Sequence, residues 1–588
     1  LHVAGAILTP INKIFINERD LSSKVQRVNM TRFVLVGDTT LSYEYRNFPL
    51  LDFLPCAPSR AVPGSIYRFL KGPAPPAHPG GETVFAPYAL RKLEAALLRK
   101  YPRKDVVVAH EDYLERFVDD DTEIIGVTTM DPLGVGPTTM SYYALFGGEM
   151  SAWVRREWDS LMERINHVRE GKKAKLVVGG PGVWEFTLLR DEIDKYKFDY
   201  VFQGEADDIA EILFEQIGED SIDPQLFYRG YMTYDDHFRK VLKKDDMFLA
   251  RGITKQAYPR LEDIPAIVNP SMKGMVEVMR GCGVGCDFCE VTLRPLRYNS
   301  VERIVDEVKV NQRAGLTNGW LHSDEIFAYK HGPMYTPNEE ALSEMFTEVM
   351  KVPGIKTANP THGRVSIPAG FPEMITKFSK ILKAGPRNWI GIQTGVETGS
   401  DELAKRHMPN KTMPLKIGPD GSWEQIVWKG VYVQTMNYWR PAFTIQVGQE
   451  GETVQDEWDT VAMINRLSNS YAEGRPFEFT ITPLVNVPLG RIKSRNLNKD
   501  LLTTEQLAVY YASYRHLAKM SARDGYRDST GSFISRLGTG TIISSGGFAM
   551  MKFVESVAKK KGVDIEKVKR WGLENRREFT SLPSLSSA

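Results

Sequence analysis

Three of the four cysteines in this 588-residue chain fall in one eight-residue run, Cys282-Gly-Val-Gly-Cys286-Asp-Phe-Cys289. The Cys-x3-Cys-x2-Cys spacing lets three thiolates grip three irons of a [4Fe–4S] cluster and leaves the fourth iron open. An open iron can chelate a ligand as well as pass electrons. Gly281, Gly283 and Gly285 punctuate the run, and glycine tolerates the positive φ needed to curl a loop tightly around a cubane. Other thiol chemistry fits less well. Zinc usually wants a fourth Cys or His close by, and the next histidine downstream is His322. Three clustered cysteines cannot pair evenly as disulfides.

The run resembles the cysteine motif of the radical S-adenosylmethionine (SAM) superfamily. That family favours an aromatic residue before its last cysteine, and Phe288 stands there, which implies packing near the adenine. Further stretches are similar to the family's barrel motifs. Trp320-Leu-His-Ser-Asp-Glu-Ile-Phe327 resembles its acidic second-strand motif, implying that Asp324 and Glu325 bind the SAM amino group or orient substrate. Gly391-Ile-Gln-Thr-Gly-Val-Glu-Thr-Gly-Ser400 is similar to its Gly-(apolar)-Glu-Ser-Gly-Ser. This implies Glu397 and Ser400 at the ribose and carboxylate of SAM, since a carboxylate can accept both ribose hydroxyls. Arg364 is implied as partner of the SAM carboxylate. In Val447-Gly-Gln-Glu-Gly-Glu-Thr453, similar to Gly-x-Pro-Gly-Glu-Thr with Glu450 in place of proline, Thr453 is expected to cap the next helix.

The length suits two to four domains, and 42% hydrophobic residues support sizeable cores. Lys plus Arg is 75 against 74 Asp plus Glu; without a basic excess, no nucleic-acid partner is expected. No apolar run is long enough for a membrane span. Residues 1–20 lack a basic stretch followed by an apolar core, so no secretory leader is expected. Few cysteines, used as cluster ligands, imply a reducing cytoplasm.

The fold class reads as α/β. Strands are expected at 33–38, 105–109, 123–129, 175–179 and 200–202, with helices at 86–101 and 207–216. This alternation predicts a doubly wound, Rossmann-like parallel sheet, in a first domain spanning 1–218 with its N-terminal extension. Residues 219–270 read as a linker. From 271 to 490 a second βα series has strands at 275–279, 319–322, 356–358, 389–394, 442–447 and 477–481. It predicts a partial (β/α)6 barrel with chemistry at the carboxyl ends of its strands. Residues 491–588 read as helical: Thr503-x-x-Gln506 is a capping box opening a helix to about 522, and a Gly/Ser-rich turn region at 531–547 precedes a basic helix at 550–561.

The first domain carries its own landmarks where strands meet loops. They are Val127-Thr128-Thr129-Met130 followed by Asp131-Pro-Leu133-Gly134-Val-Gly-Pro137, then Gly179-Gly180-Pro181-Gly182, then Gly204-Glu205-Ala206-Asp207. In order and spacing they resemble cobalamin-binding domains joined to radical SAM barrels. The resemblance implies corrinoid contacts at Thr128, Thr129, Met130, Asp131, Leu133, Gly134, Gly179, Gly180, Pro181, Gly204 and Glu205. No Gly-x-Gly-x-x-Gly follows the first strand, which disfavours a dinucleotide site. The Asp-x-His-x-x-Gly of methionine-synthase-type corrinoid domains is also missing; residues 37–46 contain no histidine. A cobalt bound here is therefore expected to lack a histidine beneath it. His110 reads as a loop residue and Cys56 as a buried, inert thiol.

Together these resemblances cover about residues 31–488. They imply a cobalamin-dependent radical SAM methyltransferase that adds a methyl group to an unactivated sp3 carbon via methylcobalamin and a 5′-deoxyadenosyl radical. Its cofactors would be a [4Fe–4S] cluster held by Cys282, Cys286 and Cys289, SAM and cobalamin. A ferredoxin or flavodoxin is implied as electron donor. The pattern is similar to archaeal members, one group of which C-methylates a glutamine of methyl-coenzyme M reductase, so a protein or peptide substrate is a candidate. The alternative is a radical SAM/cobalamin cyclase or rearrangement enzyme acting on a small molecule or tetrapyrrole. Methylthio-transferases and auxiliary-cluster enzymes need further cysteines, and only Cys56 is left.

Overall fold

The computed structural model describes residues 31–45, 49–147, 151–202, 204–221, 232–233, 258–487, 501–527 and 533–574. The region expected to lack a secretory leader and most of the expected linker lie outside these residues. Phe33–Gly37 (β1), Val106–Val108 (β2), Ile124–Thr128 (β3), Lys175–Gly179 (β4) and Tyr200–Val201 (β5) pair in parallel in the order β2-β1-β3-β4-β5. Met232–Thr233 (β6), inside the span read as linker, adds an antiparallel edge.

Alternate residues of these strands feed two different cores. Val34, Val36, Ile125, Val127, Leu176 and Val178 pack with the helix Trp153–Val168. Phe33, Leu35, Ile124 and Val177 pack with the helices Tyr88–Leu97 and Ala210–Glu219. Burial on both faces is why each strand reads as an unbroken apolar run. The sheet is doubly wound as expected. Its connections reverse direction between β1 and β3, placing the switch-point crevice at their carboxyl ends.

The barrel begins with Met275–Glu277 (β7). A short antiparallel ribbon, Met279–Arg280 (β8) with Arg297–Tyr298 (β9), closes the neck of the cysteine loop. Asn318–His322 (β10) and Thr357–Pro360 (β11) complete one parallel sheet, β11-β10-β7. Ile390–Glu397 (β12) and Trp439–Val447 (β13) are followed by a ribbon of Tyr471–Ala472 (β14) and Arg475–Pro476 (β15), then Thr480–Val485 (β16). The second parallel sheet is β12-β13-β16. A parallel bridge from His362 to Gln393 links β11 to β12, so six strands follow one another as an open barrel. The last strand runs 480–485 rather than 477–481. Phe477 and Phe479 are spent on core packing instead, Phe479 stacking on His516 at 3.9 Å between ring centres.

The first sheet and the barrel meet through buried charge. Lys92 ion-pairs with Glu307 of the barrel helix Val301–Arg313, both side chains 1% exposed. Tyr88 donates to the same carboxylate at 2.6 Å, and Arg91 Nε donates to the Pro270 carbonyl at 2.8 Å.

The C-terminal region is helical. Thr503 and Gln506 form the expected capping box, with N–H···O distances of 3.1 and 3.2 Å, ahead of the helix Thr504–Arg527. From residue 533 onward, the expected Gly/Ser turn region is instead part of the helix Phe533–Lys560. Its small residues form a contact face. A Cβ on Gly540 would stand 2.5 Å from Tyr526 Cδ1, and one on Gly547 would stand 2.8 Å from Ser521 Cβ. Close packing of the two helices outweighs the ~1 kcal/mol per glycine lost in helix propensity. Gly540→Val is expected to destabilise the protein by ~1–3 kcal/mol through overpacking. Gly538→Ala, whose Cβ meets no atom within 4 Å, should be neutral or stabilising. Urea unfolding of both variants checks this; equal midpoints would remove the contact-face argument. Among the described residues no helix is long and apolar enough to cross a membrane.

Candidate functional site

The cysteine loop hangs from the β8–β9 ribbon at the carboxyl end of the first barrel strand. Gly281, Gly283 and Gly285 adopt φ of 83°, 72° and 86°, the conformation the motif required. A Cβ on Gly281 would lie 2.6 Å from the Pro295 carbonyl, so the loop closes on its own neck. The neck is also held by Asp324, whose Oδ2 accepts the Gly281 N–H at 2.8 Å.

The three thiols line a cavity of about 330 Å³ with Phe288, Asp324, Glu325, Arg364 and Glu397. Sequence-expected residues from four separate stretches thus converge on one space. The thiols are free, and burial pushes all three up, Cys286 to about 11. The ammonium of Lys411 opposes that shift at Cys286. Among the described residues no three His, Cys, Asp or Glu side chains converge on a single ion site. A cubane does not ask for convergence, because each thiolate ligates its own iron. The glycine-curled loop, three free thiols and adjacent cation fit a cluster.

Glu397 sits at a bulge in β12 with φ of 66°. Its Oε1 accepts from Lys411 Nζ at 2.8 Å, and both side chains are nearly buried. Burial opposes the charge on Lys411, but Glu397 and the nearby Cys286 raise its pKa on balance. Arg364, 3% exposed, lies 3.5 Å from Glu325 Oε2. Its Nε, with Gln446 Oε1 and Asn486 Nδ2, finds no hydrogen-bond partner among the described residues, and all three residues line the cavity. Buried polar atoms without partners are costly, so a polar ligand suits this wall. His362, also in the lining, is pulled down to about 4 by burial and by His322, leaving it neutral at ordinary pH.

Ser400 is not brought to the cavity. It caps the helix Asp401–His407, accepting from Leu403 N at 3.3 Å and donating to Asp456. Thr453 caps its helix as expected. Lys411, His362, Gln393, Thr444, Gln446 and Asn486 line the site without having been singled out from sequence. A signal existed for two of them: Thr444 and Gln446, like Arg440, are polar at alternate positions of β13, whose other residues are apolar. Lys411 lies in a single-turn 3-10 helix, Pro409–Thr412, too short to show such a pattern.

At the carboxyl edge of the first sheet, the landmarks divide by exposure. Thr128, Thr129, Asp131 and Leu133 are buried. Thr129 Oγ1 donates to Asp38 at 2.8 Å, Asp131 accepts from Gly136 N, and Leu133 N donates to Glu185. Burial pushes Asp38 up to about 6. Gly134 takes φ of 68°, and Gly180 takes 96°, where a Cβ would stand 2.5 Å from Thr128 Oγ1. That glycine serves the packing of one loop on the next. Met130, Pro181 and Gly204 are exposed at the rim, with Gly179 half-buried beside them. Glu205 instead pairs with Arg280 and Arg297 at the neck of the cysteine loop. Pro137, at the end of the Met130 loop, lines the cysteine cavity, so the edge of the first sheet reaches the barrel's chemistry. His110 Nδ1 accepts from Asp112 N at 3.1 Å, a local turn contact. Burial pushes the Cys56 thiol up to about 12, which leaves it inert.

No family model and no curated protein matches the chain. Solved structures that resemble it include two of one enzyme. One is the radical S-adenosylmethionine methyltransferase TsrM from Kitasatospora setae with tryptophan substrate and a SAM analogue (aza-SAM) bound. It is 13% identical, covering 73% of this chain and 70% of that chain at a TM-score of 0.46. The other is TsrM from the same organism with cobalamin and a [4Fe–4S] cluster bound. It is 13% identical, covering 77% of this chain and 75% of that chain at a TM-score of 0.46.

Proposed function

We propose that this chain is a cobalamin-dependent radical SAM methyltransferase acting on an unactivated sp3 carbon. The reading divides the work among a first domain at 1–218, a barrel at 271–490 and a helical region at 491–588. The observation that carries it is the convergence of three free thiols, a buried arginine and a buried Glu–Lys pair on one cavity, which the edge loop of the first sheet also reaches through Pro137. When bound, the reduced cluster supplies the electron that cleaves SAM, and cobalamin carries the methyl group.

Cys282, Cys286 and Cys289 hold the cluster. Asp324 fixes the loop through Gly281. Arg364, ion-paired with Glu325 through Nε, offers its guanidinium to the SAM carboxylate. Glu397, aimed by Lys411, accepts ribose hydroxyls. Phe288 walls the adenine. Val284, Leu484, Val485 and Val487 line the same space and exclude water, which protects a radical from side reactions. Met130, Gly179, Gly180 and Pro181 form the rim on which a corrinoid docks. The uncharged part of the cavity, Thr444, Gln446 and Asn486, suits a substrate that is neutral where it reacts. A glutamine of methyl-coenzyme M reductase is the candidate.

The test is anaerobic turnover with methyl-labelled SAM, read by mass spectrometry of the producing organism's proteins with and without the enzyme. Label in the product, with one S-adenosylhomocysteine and one 5′-deoxyadenosine per turnover, is the expected result. A product without added methyl, formed alongside 5′-deoxyadenosine alone, would replace the methyltransferase with the cyclase or rearrangement reading.

A further inference from the structure

Each strand of the ribbon that closes the cysteine loop carries an arginine that reaches across to the first domain. Arg280 on β8 places Nη1 2.5 Å from Glu205, Nη2 2.5 Å from Asp207 and Nε 2.7 Å from Glu277. Arg297 on β9 meets Glu205 fork to fork, at 2.8 and 2.7 Å, and donates to the Pro259 carbonyl at 2.8 Å. Glu205 and Asp207 follow β5 at the carboxyl edge of the first sheet. All five side chains are between 9% and 17% exposed. Charge-assisted, bidentate contacts that are largely shielded from water are strong and directional. Arg280 is two residues from Cys282, so a displacement of the ribbon displaces the first thiol. Burial works against the charge on Glu205, but the hydrogen bonds and charges of the two arginines overcome it and hold its carboxyl at about 2.

We infer that Glu205 and Asp207 are positioning residues that set the shape of the cysteine loop from the first domain, through Arg280 and Arg297. The inference rests on the cluster reading above. It gives the Gly204-Glu205-Ala206-Asp207 stretch a second role, in which ligand binding at the first sheet's edge and geometry at the cluster become coupled. If the five charges were only glue between domains, their loss would lower stability without changing the loop or the cluster it holds.

The experiment uses the full chain as wild type, E205Q and R297K. Deuterium exchange of residues 281–296 is measured first, before any iron is added. Loss of a charged hydrogen-bond pair is expected to speed loop exchange about tenfold or more in E205Q, with exchange in β10 to β13 unchanged. R297K keeps the charge but loses the fork and should show the same change in smaller measure. Equal exchange in all three proteins overturns the inference. Each protein is then reconstituted anaerobically with ferrous iron and sulfide. Unchanged iron content with a shifted electron paramagnetic resonance spectrum of the reduced cluster supports positioning; a wild-type spectrum in both variants refutes it. Should E205Q fail to fold, R297K decides both readouts. If wild type takes up no iron, the cluster reading fails, and loop exchange alone decides the clamp.

Discussion

Replacing Cys282, Cys286 and Cys289 together with alanine is expected to abolish iron binding and SAM cleavage, while Cys56→Ala leaves iron content unchanged. The contrast follows from where the thiols sit. The three loop thiols share a cavity, within reach of one another's charge and of Lys411. Cys56 lies in another environment, beside Asp131 and Thr139, where burial keeps it protonated. Binding iron takes protons off thiols that burial has pushed up, so metal uptake is coupled to proton release. Iron analysis after anaerobic reconstitution and a 5′-deoxyadenosine assay check the result. A triple variant that still carried a full cluster would end the assignment.

Lys411→Met should be the most damaging single change in the cavity wall. It strands Glu397, 5% exposed, as an unpaired carboxylate in a left-handed bulge. Removing one partner of a buried ion pair typically costs ~3–5 kcal/mol, against a total stability of ~5–15 kcal/mol for a domain. Combining Lys411→Met with Glu397→Gln removes the stranded charge and should restore much of the loss, because the effects of touching residues do not add. Urea unfolding of the single and double variants measures this. A Lys411→Met protein as stable as wild type would show that the pair does not matter, and with it would go the role given to Lys411 in aiming Glu397.

The cysteine loop and the first sheet were legible because each rests on a pattern with few alternatives. Thiol spacing with interleaved glycines permits little else, and strands buried on both faces leave unbroken apolar runs. The glycines of the helix Phe533–Lys560 misled because local propensity says turn, and only the partner helix explains them. Ser400 misled differently: a serine ahead of Asp401-Glu402-Leu403 is also a helix-capping pattern, and here the capping geometry is realised. Lys411 belongs to a one-turn 3-10 helix and His362 and Asn486 to strand ends, where no period announces which way a side chain faces. The resemblance of residues 204–207 to a corrinoid-binding landmark points Glu205 at a ligand and says nothing of its arginine partners, which are more than seventy residues away in sequence.

The seam between the first sheet and the barrel has a consequence for how such a protein can be inherited. Lys92 and Glu307 neutralise each other out of water, and Tyr88, Arg91, Arg280 and Arg297 each hold a partner across the same boundary or in the segment that bridges it. Recombination that exchanged one half alone would bring a new surface against uncompensated buried charge. The two halves are therefore poor candidates for modular shuffling. A charge lost on one side of the seam leaves its buried partner on the other side uncompensated, so a tolerated change there calls for an answering one.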